Sequence, residues 1–272
     1  MGLAELDRRL RELGSVLVAF SGGADSAFLL ARAVSVLGTE VVVAATAVSG
    51  SLPAAELAAA ADFAAGLGVR HETPRTAELD RAGYRANAGD RCFFCKAELL
   101  DVLVPLADRL GLGHVATGTN ADDAVAGFRP GIRAAAERGA VTPLRAAGLT
   151  KAQVRAASRE MGLATWDKPA AACLSSRIAY GVGITPARLA RVERAEAALR
   201  VALGDAGIPV RDLRVRDLGP AGARVEVDAE LVGLLADRPD LLGAVHGFRT
   251  VTVDPRGFRS GSLNEALDES YR

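Results

Sequence analysis

A chain of 272 residues, half of them hydrophobic and 4% aromatic, is long enough for one large domain or two smaller ones. Lys and Arg balance Asp and Glu at 33 each, so no strong electrostatic pull toward nucleic acid or a membrane surface is indicated. No apolar run reaches membrane-spanning length, and three cysteines without a secretion signal argue against a disulfide framework, so the expected location is cytoplasmic.

Met1 to Gly14 reads as an amphipathic helix with Leu3, Leu6, Leu10 and Leu13 on one face. Val16 to Phe20 is a continuous apolar run, as for a strand buried on both faces, and Ala27 to Leu37 has helical spacing. Val41 to Val48 is a second buried-strand candidate, Pro53 to Leu67 an Ala-rich helix, and Val69 to Thr73 a weak third strand. Lys96 to Leu110 is helical, and His114 to Thr117 is a short fourth strand closed by Gly118. This alternation predicts an α/β fold with a doubly wound, mostly parallel sheet. Thr150 is placed to cap a helix from Lys151 to Met161. Pro169 to Gly183 reads as a loop and Ala187 to Leu203 as a long helix. Strands at Leu213 to Arg216, Arg224 to Val227 and Phe248 to Val253, with a helix from Glu230 to Leu235, complete a smaller α+β region. The expected division is residues 1–183 and 184–272, the second supplying substrate and oligomer contacts.

Ser21-Gly22-Gly23-Ala24-Asp25-Ser26 lies where a strand ends and a helix begins. Free N–H groups converge there and the helix dipole favours an anion. Gly22 and Gly23 permit close phosphate approach, Ser21 and Ser26 offer hydroxyl donors, and Asp25 suits a place beside Mg²⁺. The loop lacks the Gly-Lys-Ser/Thr of a Walker sequence, which disfavours a kinase or GTPase. It resembles the phosphate loop (PP-loop) of the N-type ATP pyrophosphatases, whose members cleave ATP to AMP and pyrophosphate to activate a carbonyl oxygen.

The cysteines are Cys92 and Cys95, in Arg91-Cys-Phe-Phe-Cys-Lys96, and Cys173, in a small-residue stretch. Zinc is disfavoured because His71, His114 and His246 lack ligand spacing. A redox pair, three thiolates on an iron–sulfur cluster, and three packed thiols remain open.

Several segments together resemble the LarE family, ATP-dependent sulfur transferases of nickel-pincer nucleotide biosynthesis. They are Ser21 to Ser26, Arg91 to Lys96, Gly118 to Asp123, Arg129 to Arg133, Trp166 to Arg177 and Gly257 to Asn264. The resemblance covers nearly the whole chain. It implies adenylation of the carboxylates of pyridinium-3,5-biscarboxylic acid mononucleotide by ATP with Mg²⁺, then displacement of AMP by sulfur, twice per product. It implies two possible sulfur sources: Cys173 itself, or a sulfide on a [4Fe–4S] cluster held by Cys92, Cys95 and Cys173. The sulfide donor to such a cluster is not named by the sequence.

In the same reading Cys173, Ser176, Arg177 and Glu196 are catalytic, and Arg214, Arg216 and Glu226 bind substrate. Ser21, Gly22, Gly23, Asp25, Ser26, Gly118, Asp122 and Lys151 bind nucleotide. Plainer readings exist: Arg177 as a surface ion pair, Arg214 and Arg216 as a solvated strand face, Glu196 as helix-surface charge. Asp122 and Asp123 could simply cap the next segment, and Lys151 could be an exposed first-turn residue. The family suggests a homo-oligomer. Competing functions are an ammonia-using amide synthetase, which leaves the cysteines without a role, a tRNA thiolation enzyme, which neutral charge disfavours, and a nucleotide-sensing domain.

Overall fold

The computed structural model describes residues 2–125, 130–169, 172–259 and 261–266. Met1, Arg129, Ala170, Ala171 and Ser260, which fall in segments singled out above, lie outside the described residues.

The chain opens with α1 (Gly2–Leu13), β1 (Val16–Ala19), α2 (Ala24–Leu37), β2 (Val42–Ala45), α3 (Ala54–Gly66) and β3 (Arg70–Glu72). Then come α4 (Ala82–Ala86), α5 (Arg91–Arg109), β4 (Val115–Thr117), α6 (Ala121–Val125), α7 (Pro130–Glu137), α8 (Pro143–Ala146) and α9 (Lys151–Glu160). The remainder holds α10 (Pro186–Asp205), β5 (Leu213–Asp217), β6 (Ala223–Val227), α11 (Val232–Ala236), α12 (Pro239–Leu242) and β7 (Val251–Val253).

Two compact units form. One comprises Met1–Glu78 and Cys92–Ala171, the other Leu79–Arg91 and Ala172–Arg272. This break falls at 171/172, where the sequence suggested 183/184, and the second unit also takes in α4. The stretch Leu174–Arg177, expected to be loop, is a 3-10 turn of the second unit.

In the first unit, β3-β2-β1-β4 form a sheet of parallel pairs. Strand period two explains why the β1 run is apolar throughout. Val16 and Val18 point into a core with Leu6 and Leu10 of α1, Phe28 of α2 and Val154 of α9. Leu17, between them, points into the opposite core with Leu100 and Leu103 of α5. Helices therefore cover both faces, and the sheet is doubly wound as expected. The strand order reverses direction between β1 and β4, which places a crevice beyond their carboxyl ends.

The second unit has a mixed sheet, β5-β6-β7, antiparallel then parallel. Leu213 and Val215 of β5, with Val225 and Val227 of β6, pack under Leu199 and Leu203 of α10. The alternate positions, Arg214, Arg216, Arg224 and Glu226, form the opposite face, with Arg214 opposite Glu226 and Arg216 opposite Arg224.

Candidate active site

The phosphate loop joins β1 to α2. Gly22 has φ +70°, in the left-handed region that glycine enters without strain. Gly23 is the helix N-cap and supplies no side-chain cap, so first-turn N–H groups are left for another acceptor. Ser26 Oγ braces the loop: it lies 3.1 Å from Ser21 Oγ, accepts from Ser21 N at 3.3 Å and donates to the Gly23 carbonyl at 3.1 Å. A cleft of about 310 Å³ opens here, walled by Ser21, Asp25, Thr46, Lys96, Gly118 and Asp123 among others. These residues come from the carboxyl ends of β1, β2 and β4 and from α2, α5 and α6, in keeping with a site at the reversal of strand order.

Gly118 follows β4 and passes so close to α2 that a Cβ would lie 2.8 Å from Ser26 N and 3.0 Å from Ser26 Cα. Only glycine lets the strand end approach the loop in this way. Asp25 Oδ1 accepts from Asn120 Nδ2 at 3.2 Å. Burial pushes the Asp25 carboxyl above its ordinary range and Asp123 adds to this, against the pull of Asn120 and Lys151. A buried carboxylate that resists ionisation alone suits a bound cation.

Asp122 does not line the cleft. Its Oδ2 accepts from Lys151 N at 2.8 Å, so it caps α9 beside the capping box of Thr150 and Gln153. Lys151 itself is exposed at the start of α9, near enough to Asp25 to act on it electrostatically.

Sequence reasoning missed Asn120, Lys96, Lys168 and the Thr46–His71 pair. Thr46 Oγ1 donates to the Phe20 carbonyl at 2.8 Å, which leaves His71 Nε2, also at 2.8 Å, to donate to the Thr46 oxygen. Burial lowers the His71 pKa, in keeping with a neutral ring, although Glu72 opposes this. Lys168 Nζ donates to the Gly22 carbonyl at 3.0 Å and to Glu56 Oε2 at 2.7 Å.

Cys92 and Cys95 sit in the first turn of α5 at i and i+3, hence on one face of the helix; Cys92 is exposed and Cys95 partly buried. Both belong to the first unit, and Cys173 belongs to the second. Three thiols are the donor chemistry of a cluster with one open iron. Among the described residues, no group of three or more His, Cys, Asp or Glu side chains is gathered as a metal site.

The second unit brings together the residues assigned to catalysis and substrate. Cys173 is the N-cap of the 3-10 turn, and its carbonyl accepts from Ser176 N at 2.9 Å, Ser176 Oγ at 2.7 Å and Arg177 Nη1 at 3.2 Å. These bonds fix the backbone of Cys173 and none of them uses the thiol. Arg177, only 5% exposed, forms a two-pronged pair with Glu196 of α10 at 2.9 and 3.1 Å. Glu196 also accepts from Val215 N at 3.0 Å, so it ties the turn to β5 and is not free helix-surface charge.

Arg216 and Glu226 are buried as well. Arg216 donates twice to Glu226 Oε2, at 3.0 and 2.6 Å, once to the Ser176 carbonyl at 2.9 Å and once to Ser262 Oγ at 3.2 Å. Arg214 differs. It donates to its neighbour's carbonyl, Leu213 O, and stacks on Phe258 with the guanidinium carbon 5.1 Å from the ring centroid. Burial lowers its pKa, and the cations of Arg177 and Arg216 push the same way against Glu196. A guanidinium in that position favours an anion.

No family model matches the chain. It is 34% identical to the pyridinium-3,5-bisthiocarboxylic acid mononucleotide synthase of Lactiplantibacillus plantarum, across 98% of this chain and 95% of that one. The chain belongs to the LarE family. An uncharacterized protein of Synechocystis shares 43% identity across 97% of each chain, which spans both units. An uncharacterized protein of Methanocaldococcus jannaschii is 25% identical across 64% of this chain and 66% of its own. No described helix is long and apolar enough to cross a membrane.

Proposed function

We propose that the chain is an ATP-dependent sulfur transferase that converts the carboxylates of pyridinium-3,5-biscarboxylic acid mononucleotide to thiocarboxylates. The observation that carries this reading is full-length relatedness to a synthase named for the bisthiocarboxylic acid product. The cleft at the phosphate loop supports it.

ATP takes the cleft with its phosphates on the loop N–H groups and the hydroxyls of Ser21 and Ser26; Asp25 would hold Mg²⁺, which would offset phosphate charge. A substrate carboxylate oxygen attacks the α-phosphorus, the α–β bridging bond breaks, and pyrophosphate leaves with that electron pair. Sulfur then attacks the acyl carbon and AMP departs. The second cycle treats the other carboxylate alike. Arg214 holds the substrate phosphate, while the Arg216–Glu226 pair and the Arg177–Glu196 pair keep Arg214 and the Cys173 backbone in place.

A [4Fe–4S] cluster held by Cys92, Cys95 and Cys173 would supply the nucleophilic sulfide. The chain is further expected to work as a cytoplasmic homo-oligomer, which sedimentation would test.

The test is anaerobic purification with iron and acid-labile sulfide analysis of wild type and of Cys92→Ser, Cys95→Ser and Cys173→Ser, alongside pyrophosphate release with the pyridinium substrate. A cluster lost in each variant supports the three-thiolate reading. Reconstituted protein without a cluster overturns it, and loss of one sulfur from Cys173 after turnover, read by mass, would then identify that residue as the donor. Absence of pyrophosphate release overturns the sulfur-transferase reading altogether.

A further inference from the structure

The phosphate loop carries no cation of its own. Between Ser21 and Ser26 the one charged side chain is Asp25, which is negative. A triphosphate brings several negative charges, and N–H dipoles alone leave most of that charge unbalanced. Of the three lysines, Lys96 walls the cleft, Lys151 acts on Asp25 electrostatically, and Lys168 makes a hydrogen bond to the loop itself. Lys168 Nζ donates to the Gly22 carbonyl at 3.0 Å, across a sequence separation of 146 residues.

The anchoring of Lys168 is uneven. Its backbone is fixed: Lys168 N donates to the Thr165 carbonyl at 3.1 Å, and Arg155 Nη2 donates to the Lys168 carbonyl at 3.2 Å. Its side chain remains about one-quarter exposed, as does that of Glu56. An ammonium has three protons on a flexible stem, and here two are engaged. Glu56 lies in the first turn of α3, where the helix dipole stabilises a carboxylate without a lysine partner. Glu56 can therefore release Lys168 at little cost.

We propose that Lys168 is a ligand of the ATP polyphosphate, parked beside the phosphate loop by Glu56 and transferred to the phosphates when nucleotide binds. This assignment rests on the ATP reading given above. Glu56 acts as a competitor for the ammonium, so loss of Lys168 weakens nucleotide binding and loss of Glu56 does not. A static clamp between α3 and the loop would give them the same effect.

The experiment is calorimetric binding of Mg²⁺ with α,β-methylene-ATP, and separately with pyrophosphate, to the full chain. Wild type, Lys168→Met, Lys168→Arg and Glu56→Gln are compared, each with its melting temperature. Lys168→Met is expected to weaken both probes roughly tenfold to a hundredfold, the range of a lost charge-assisted hydrogen bond, and Lys168→Arg to restore most of that. Glu56→Gln is expected to leave affinity unchanged or raise it a few-fold. Weakening of both probes by Glu56→Gln, or Lys168→Met binding within twofold of wild type, overturns the proposal. Wild type that binds neither probe overturns the ATP reading and this assignment with it. Wild type that binds both, with Lys168→Met unaffected, overturns the lysine assignment alone.

Discussion

Glu226→Ala is the sharpest probe of the buried face of the small sheet. Glu226 is fully buried and Arg216 is 5% exposed. The carboxylate takes two donors from Arg216 on one oxygen and Ser262 Oγ, at 2.8 Å, on the other. Removing it leaves a buried guanidinium with the Ser176 carbonyl and Ser262 Oγ as its remaining hydrogen-bond partners among the described residues, which costs about 3–5 kcal/mol. The unit that holds the pair has roughly 110 residues, so its unfolding entropy is about 0.23 kcal/mol per degree. The transition of that unit should therefore fall by about 13–22 °C. The double variant Arg216→Met, Glu226→Leu removes both charges and should lie at least about 2 kcal/mol above Glu226→Ala, because the orphaned charge dominates the penalty. Scanning calorimetry of the full chain, supported by urea titration, reads both. If Glu226→Ala melts within 3 °C of wild type, or the double variant is the least stable of the set, the claim that Arg216 is held by a carboxylate in a buried site is wrong.

Other substitutions test the sites separately. Arg214→Ala should raise KM for the pyridinium nucleotide by roughly ten- to hundredfold with little change in melting, since among the described residues it bonds one carbonyl and stacks on one ring; a large stability loss with unchanged KM would reassign it to structure. Gly118→Ala puts a methyl 2.8 Å from Ser26 N and should weaken ATP binding more than it lowers melting; isothermal titration that finds normal affinity refutes the close-approach argument. His71 has a folded pKa below its unfolded value, so the unfolded chain binds more protons as pH falls past about 6.5 and stability is lost there. His71→Gln should flatten that part of the melting-temperature profile, and an unchanged slope between pH 7.5 and 5 would assign the loss to other groups.

The parts of the fold legible in sequence were those set by local period. The β1 run reads as doubly buried because consecutive residues enter opposite cores, Val16 and Val18 one and Leu17 the other. Thr150 announced the start of α9, and the structure adds Gln153 as its partner in a capping box. The short helices α6, α7, α8 and α12 were not read, because four to eight residues in an Ala-, Gly- and Arg-rich chain show too few turns to establish a period. The 3-10 turn Leu174–Arg177 escaped for a related reason: its order comes from Arg91, which donates to the Ser175 carbonyl at 3.0 Å, and from Tyr84, whose hydroxyl meets Ser175 Oγ. Both partners lie more than 80 residues upstream.

For the candidate sites the same distinction separates motif from partner. The phosphate loop is six consecutive residues, so its chemistry is written locally, whereas Asn120 on Asp25 is a contact across 95 residues. Strand alternation correctly puts Arg214 and Arg216 on one face, yet it cannot tell them apart. What separates them is that Arg216 has Glu226 on the next strand and Ser262 beyond it, while Arg214 has the Phe258 ring. An arginine already committed to a buried carboxylate is a poor phosphate ligand, because an incoming phosphate would have to displace a desolvated ion pair. An arginine stacked on an aromatic ring keeps its in-plane donors for an anion. On that physical ground the proposed phosphate contact is better placed at Arg214 than at Arg216, whose bonds to Glu226, Ser262 and the Ser176 carbonyl tie β5 to β6 and to the Cys173 turn.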